Sequence, residues 1–258
     1  MDREFTGRNL AGARFENVDL SGAIFEMVGF RGTRFRNVDL RGATIRGALV
    51  LDVEISGDVE NLRINGVDVA PLIEAELDRR HPERAKLRPT DADGFREAWP
   101  EIERLWDETV VRARQFDPAS LHERVDGEWS FIETQRHLVF ATDAWVRRVV
   151  LGEPSPWHPL DLPHDEMGDV PGVPWDHDAR PSLDEVLAVR TDRMATVRQV
   201  LADLTDEQLA GSTETVLEPG YPRSESFPIR SALSTILNEE WWHRQYAERD
   251  LDVLAARS

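Results

Sequence analysis

A carboxylate and an imidazole lie one helical turn apart near the end of the sequence. Glu239 and His243 are four residues apart in the segment 231–254, which we expect to form a long helix. Side chains at i and i+4 rise from the same helix face, with Cβ atoms about 5–6 Å apart, so the two groups can share one metal ion. A catalytic metal site takes three protein ligands. A third ligand must therefore come from another helix, unless the pair is simply an exposed helix pair.

His137 is the candidate for this third ligand. Its segment has the marks of a second long helix, with Ser130 as N-cap and Glu133 three residues later to close a capping box. Thr134 and Ala141 flank His137 on its own helix face, and such small residues leave room for a pocket. A lone helical histidine is also common as a packed or exposed residue. The residue types alone therefore leave both interpretations open.

Two segments carry a resemblance to a known family. Residues 129–138 (W-S-x-x-E-T-x-x-H-L) and 238–251 (N-E-E-W-x-H-R-x-Y-A-E-R-D-L) resemble the second and fourth helices of the DinB-like superfamily. The resemblance covers roughly residues 89–258. It implies a four-helix bundle that holds a divalent metal, zinc or nickel, through one histidine of helix two and an H-x3-H pair of helix four.

Glu239 stands where the first histidine of that pair usually is. The set His-Glu-His is also that of the mycothiol-dependent maleylpyruvate isomerase branch, so the resemblance implies His137, Glu239 and His243 as metal ligands. Glu240 is an alternative to Glu239, because it matches the E-x-x-H spacing of di-iron bundles. Those bundles need two such motifs and the chain supplies one, which favours a single metal ion.

The composition excludes several classes of function. The chain has 258 residues, enough for one large domain or two modest ones. The absence of cysteine excludes disulfides, thiolate metal ligands and a cysteine nucleophile. A formal net charge of −18 disfavours nucleic acid as a partner, since that binding depends on Lys and Arg. The charged start MDREFTGRNL and the lack of a run of 18 apolar residues predict a soluble cytoplasmic protein without a membrane partner.

The first sixty residues are a repeat with a period of five, which fits neither a helix nor a strand. From Ala13 onward, small or β-branched residues precede each bulky position by two, and glycines occupy a third phase, where tight turns tolerate them. The bulky apolar positions are Phe5, Leu10, Phe15, Leu20, Phe25, Phe30, Phe35, Leu40, Ile45, Val50 and Ile55.

This pattern resembles the pentapeptide-repeat family. The resemblance implies a short right-handed square β-helix with the central Phe and Leu side chains stacked inside. A DNA-mimicking role is disfavoured because the coil is short and carries several outward arginines, such as Arg34 and Arg36. We expect it to act as a scaffold or interaction cap.

The remaining segments complete the predicted architecture. A strand and an Asn65-Gly66 turn lead into a short helix that starts near Ala70 and ends at Pro82, where it would cap the open coil. Helical spacing from residue 95 to 113 predicts the first bundle helix. The predicted fold is mainly α, with a repeat β-helix at 1–66, a capping helix and linker at 67–88, and a DinB-like four-helix bundle at 89–258.

The loop 153–181, which we call the lid loop, has an unusual composition. It contains seven prolines, three histidines and two tryptophans. The tryptophans argue against disorder, so we expect an ordered lid. His158, His164 and His177 could add a ligand or a proton shuttle, although loop histidines are more often simply exposed.

A site of two imidazoles and a carboxylate keeps open positions on a bound metal, which can then activate water, a carbonyl or a thiol. The DinB-like superfamily includes thiol S-transferases and isomerases, and the isomerases carry a further C-terminal domain. Since this chain ends directly after helix four, we predict a metal-dependent transferase that moves mycothiol or a similar thiol to a small-molecule electrophile. The alternatives are a non-catalytic metal-binding or interaction protein that uses the coil as its surface, and a metal-dependent hydrolase. Catalytic residues are not assigned, and a homodimer is left open.

Overall fold

The computed structural model describes residues 4–57, 59–165 and 167–257. The chain divides into two compact units, Met1–Leu51 and Asp52–Ser258. Within the described residues, no helix is both long and apolar enough to cross a membrane.

The backbone of the N-terminal repeats follows the five-residue period of the sequence. A residue with positive φ recurs at every fifth position, and the predicted glycine phase falls on these positions, as at Gly22 (φ 74°) and Gly32 (φ 66°). Turn hydrogen bonds recur every ten residues, for example from Ala13 N to Leu10 O at 2.9 Å and from Ala23 N to Leu20 O at 2.9 Å. The positive-φ series is Gly7, Gly12, Asn17, Gly22, Met27, Gly32, Asn37, Gly42, Gly47, Asp52 and Gly57.

The predicted square β-helix is not confirmed. Residues 4–57 form turns and bends without a strand, and their side chains are exposed. The bulky positions expected inside the coil are about half exposed or more, from 44% at Leu10 to 77% at Ile45. Neighbouring rings still touch, with the centroids of Phe25 and Phe30 5.5 Å apart. The five-residue period therefore determines the backbone conformation of the repeats. The side chains of residues 4–57 do not form a buried core.

A short hairpin and a helix begin the second unit's ordered structure. Strands β1 (Arg63–Ile64) and β2 (Val67–Asp68) pair antiparallel across the predicted Asn65-Gly66 turn, where both residues have positive φ. Helix α1 (Ala70–Arg80) follows, with proline in its first turn, and a 3-10 helix (Pro82–Leu87) ends the segment. These elements match their predicted positions. The expectation that they cap the coil stays a prediction.

The 3-10 segment attaches this region to the bundle. The Arg84 guanidinium pairs with Glu74 at 2.7 Å and with Asp78 at 2.9 Å, and lies 5.1 Å from the Trp241 ring. Leu87 is buried in the same core as the long helices. The segment 67–88 thus packs onto the bundle instead of standing free of it.

Four long helices form the bundle. They are α2 (Ala92–Ala113), α3 (Phe131–Thr142), α4 (Leu183–Asp203) and α6 (Ile229–Arg257), with a short α5 (Asp206–Leu209) and a 3-10 turn (Ser120–His122) between them. Both α2 and α3 pack against α4 and α6. Capping boxes begin α3, α4 and α5, at Ser130, Ser182 and Thr205, and the box at Ser130 is the predicted one. Helix α3 continues directly as a π-helix (Asp143–Val150), which the sequence pattern did not indicate.

The core lies between these helices and includes two tryptophans of α2. Trp99 and Trp106 are 1% and 3% exposed and pack with Ile102. Burying one such side chain stabilises the fold by about 1.5–3 kcal/mol. The bundle is therefore held mainly by apolar contacts along α2, α3 and α6.

A buried arginine of α3 holds the described residues of the lid loop, and the order of the loop as a whole stays a prediction. The Arg136 guanidinium is fully buried and donates to the carbonyls of Leu160, Asp176 and Ala179. A satellite apolar cluster under the loop combines helix and loop residues, namely Phe140, Ala144, Met167 and Val173, with Trp145, Trp157, Val170 and Tyr221 at its edge.

Candidate metal centre

Three side chains predicted as metal ligands converge in the bundle. His137 comes from α3, while Glu239 and His243 come from adjacent turns of α6. Oε2 of Glu239 lies 3.4 Å from Nε2 of His137 and 3.1 Å from Nε2 of His243. One ligand atom from each residue lies within 4.8 Å of the others. The fold therefore supplies the third group that the helical pair required.

The orientation of His137 suits metal binding. Its Nδ1 lies 2.9 Å from the carbonyl oxygen of Leu162 in the lid loop. A carbonyl only accepts, so Nδ1 carries a proton, and Nε2 faces the Glu239 carboxylate, which it can meet through a proton of its own or through a metal ion. Two electron-rich atoms in this arrangement are stable with a cation between them. Two imidazoles and a carboxylate, with one imidazole fixed from behind, fit a divalent ion such as zinc.

Electrostatics favour the protonation states that a metal needs. Burial raises the pKa of Glu239, but its hydrogen bonds with His137 and His243 outweigh that effect and leave the pKa well below its usual range. Burial lowers the pKa of His243, and the nearby positive charge of Arg190 adds to this effect. The carboxylate is thus ionised and the His243 imidazole neutral near neutral pH, as ligation requires.

Trp129 covers the two imidazoles from one side. The centroid of its ring lies 4.4 Å from that of His137 and 5.7 Å from that of His243, with the latter pair stacked. Its Nε1–H donates to Asp165 of the lid loop at 3.2 Å. The sequence placed Trp129 in the motif of the second helix but gave no sign of this contact, which depends on α6.

Glu240 does not face the centre. It is fully buried, and its two carboxylate oxygens accept from Arg190 at 2.9 and 2.7 Å. Arg190 also donates to the Gln135 side chain at 3.3 Å. The alternative that Glu240 replaces Glu239 as ligand is therefore wrong, because both carboxylate oxygens of Glu240 already accept hydrogen bonds from Arg190.

The lid-loop histidines do not join the ligand group. Among the described residues, that group contains His137, Glu239 and His243 and none of the loop histidines. His164 instead packs edge-on against Tyr221, with ring centroids 5.1 Å apart. His177 packs against Trp175 in the same way, at 4.7 Å.

A buried acidic pair lies behind the Leu162 carbonyl. Asp161 is completely buried and accepts a hydrogen bond from the His158 backbone at 3.0 Å, while Asp143 pairs with Arg193 at 2.8 and 2.9 Å. Burial raises the pKa of Asp161 well above its usual value, and the charge of Asp143 raises it further. This raised pKa belongs to the residue next to Leu162, whose carbonyl orients His137.

Comparisons with known proteins agree with the architecture. The family model of the DinB superfamily matches residues 101–247, more than half of the chain, and the model of pentapeptide repeats matches residues 4–37 in eight copies. No curated protein and no solved structure gives a significant match. The resemblance found in the sequence is confirmed. The chain belongs to the DinB superfamily and carries pentapeptide repeats at its N-terminus.

Proposed function

We propose that this protein is a divalent-metal-dependent enzyme that transfers a low-molecular-weight thiol, such as mycothiol, to a small electrophile. The observation that carries the proposal is the convergence of His137, Glu239 and His243 in a DinB-superfamily chain without cysteine. Since the protein has no thiol of its own, the sulfur nucleophile is an external cosubstrate.

The three ligands would hold zinc or nickel, and the ion would supply Lewis acidity that lowers the pKa of a thiol bound at the site. In the overall reaction the S–H bond loses its proton to solvent. A carbon–sulfur bond forms while the bond from carbon to the leaving group breaks, and the leaving group departs with the electron pair.

The protein's own groups prepare this site. The Leu162 carbonyl fixes the His137 ring, and Trp129 shields both imidazoles from one side. The lid loop excludes water from the satellite cluster around Phe140, next to the centre. These contacts leave the reacting groups in a site of low polarity, where electrostatic effects are stronger.

The test is conjugation of a thiol to a bimane halide by the zinc-loaded full chain. We expect the zinc-loaded protein to conjugate mycothiol faster than the metal-free protein does. The isosteric Glu239→Gln variant should lose this acceleration. Asn238→Ala, an exposed neighbour on the same helix, is the matched control. If mycothiol, bacillithiol and glutathione all fail while esters or amides are hydrolysed, a metal-dependent hydrolase replaces this proposal.

A second candidate is a non-catalytic interaction protein whose repeats form the binding surface. The exposed apolar side chains at every fifth position favour it, because monomeric proteins rarely expose large apolar patches. In this candidate the repeats adopt the right-handed square β-helix when they bind. Absence of turnover on every substrate, together with self-association or protein binding that is lost when residues 1–51 are deleted, would favour it.

A further inference from the structure

Tyr221 lies beside the candidate centre and has no role in the ligand set. It sits in the segment between α5 and α6 and is half-buried. Its ring centroid is 5.7 Å from that of Phe140 and 5.1 Å from that of His164. The Phe140 ring in turn lies 6.1 Å from the His137 imidazole. A single aromatic ring therefore separates Tyr221 from a metal ligand.

The fold fixes the backbone that presents this tyrosine. Arg148, on the π-helix, is 1% exposed and donates to the carbonyls of Glu218 and Pro154. The chain passes so close to this guanidinium at Gly220 that an added Cβ would lie 2.8 Å from Cζ of Arg148. The buried Arg148 thus fixes the backbone at Glu218 and packs closely against Gly220, immediately before Tyr221.

Packing explains the ring of Tyr221 but not its hydroxyl. Trp145, Phe140 and His164 contact the ring, and phenylalanine would make the same contacts. Within residues 4–57, 59–165 and 167–257, no protein group forms a hydrogen bond with the hydroxyl. The hydroxyl is accessible, so it bonds water in the free protein, and a bound substrate can replace that water as its partner.

The electrostatics connect the hydroxyl with the centre. Burial raises the pKa of Tyr221, and the negative charge of Glu239 raises it further. The hydroxyl therefore keeps its proton at neutral pH and can act as a hydrogen-bond donor. His164 is the titratable group that packs directly on its ring.

We propose that Tyr221 is a further catalytic residue, whose hydroxyl donates a hydrogen bond to the substrate group bound on the open side of the His137/Glu239/His243 centre. This inference rests on the proposed thiol transfer. As the carbon–sulfur bond forms, the electrophile's leaving group gains an electron pair, and the donor stabilises this negative charge while keeping its own proton. One positioned donor of this kind contributes about 10²–10³-fold to kcat.

The chain offers a matched control, because it contains only two tyrosines. Tyr246 lies on α6 with its ring edge-on to His243 at 5.9 Å. We expect Tyr221→Phe to bind zinc as well as wild type but to lower kcat about 10²-fold with little change in KM. Tyr246→Phe should stay within about threefold of wild type. A Tyr221→Phe enzyme with wild-type kcat on all reactive thiols would overturn the proposal.

A spectroscopic readout separates this inference from the proposed reaction. In Tyr246→Phe, the absorbance of tyrosinate during an alkaline titration reports Tyr221 alone. Zinc brings positive charge to the centre and offsets that of Glu239, so loading should lower the pKa of Tyr221 by about one unit or more. An identical pKa with and without zinc would place the hydroxyl away from the centre and refute the inference, whether or not thiol transfer occurs. A zinc-dependent shift without thiol turnover would reject the proposed function alone.

Discussion

The N-terminal repeats and the helical unit use their charged side chains in different ways. In the repeats, ion pairs join residues two positions apart on an exposed surface, as between Arg41 and Asp39 or Arg14 and Glu16. In the helical unit, the pair of Arg190 with Glu240 joins residues 50 positions apart and is buried from water. The first kind of pair follows the local backbone, whereas the second determines how helices are placed.

This difference shows where the molecule can be specific. Exposed pairs are screened by water and salt and contribute little to stability. Removing either partner of a buried ion pair is strongly destabilising, because the remaining charge is then buried without a partner or water. The buried pair lies one residue from Glu239, so the structural constraint and the candidate chemistry occupy the same turn of α6.

The largest expected effect is the loss of the metal from the helical unit. We predict that the full chain, purified without a metal-affinity tag, binds about one divalent ion, and that His243→Ala binds none, because two ligands cannot hold it. Elemental analysis measures this. His177→Ala, in the lid loop, is the control and should keep its ion. Full metal content in His243→Ala would show that the site is elsewhere.

The next effect sharpens the contrast between the two kinds of ion pair. Arg190→Ala should destabilise the helical unit by about 3–5 kcal/mol, because it leaves the Glu240 carboxylate buried and unpaired. Denaturation in urea measures this loss. Arg41→Ala, in the repeats, should leave the unfolding transition unchanged. If Arg190→Ala and Arg41→Ala lower the free energy of unfolding equally, the proposed difference between buried and exposed ion pairs is refuted.

A smaller effect depends on pH. The pKa of Asp161 is raised in the folded state above its ordinary value of 3.8. The folded protein therefore binds more protons than the unfolded one, and this contribution to stability is lost as the pH rises through the folded pKa. Asparagine cannot ionise, so the stability of Asp161→Asn relative to wild type should increase between pH 4 and pH 8. A constant difference in urea midpoints across this range would refute the shift.

The smallest expected effect is that of removing the repeats. The fragment 52–258 should keep its helical circular dichroism and its metal content, and its free energy of unfolding should change by less than about 1 kcal/mol. The reason is that the bundle closes its own core. An unfolded fragment would show instead that the repeats are an integral part of the helical unit.

Much of the helical unit could be predicted because its signals are local. The capping boxes at Ser130 and Ser182 lie within four residues, and the spacing of Glu239 and His243 places both on one helix face. The convergence of His137 with this pair needed the family resemblance as well. That these residues bind a metal stays a prediction.

The rest could not be predicted because it depends on contacts between distant residues. The spacing and the family resemblance favoured Glu239, but only the position of Arg190 on another helix shows why its neighbour Glu240 is not a ligand. Tyr221 lies in a polar loop without periodicity, so no pattern marked it. In the repeats, the period correctly located the positive-φ positions, but it did not show whether the coil would enclose Phe30 and Phe35.

The buried guanidinium of Arg136 has a consequence for how this protein can diversify. Arg136 donates to the carbonyls of both Leu160 and Ala179, so it fixes the two ends of the intervening loop relative to each other. Closing a longer loop on fixed ends costs only about 0.6 kcal/mol for each doubling of length. Insertions at the exposed positions Gly168 and Asp169, or Pro171 and Gly172, can therefore change the shape of the loop while the Leu162 carbonyl keeps its place. The tip of the loop is thus a segment in which substrate preference can vary without loss of the metal ligands.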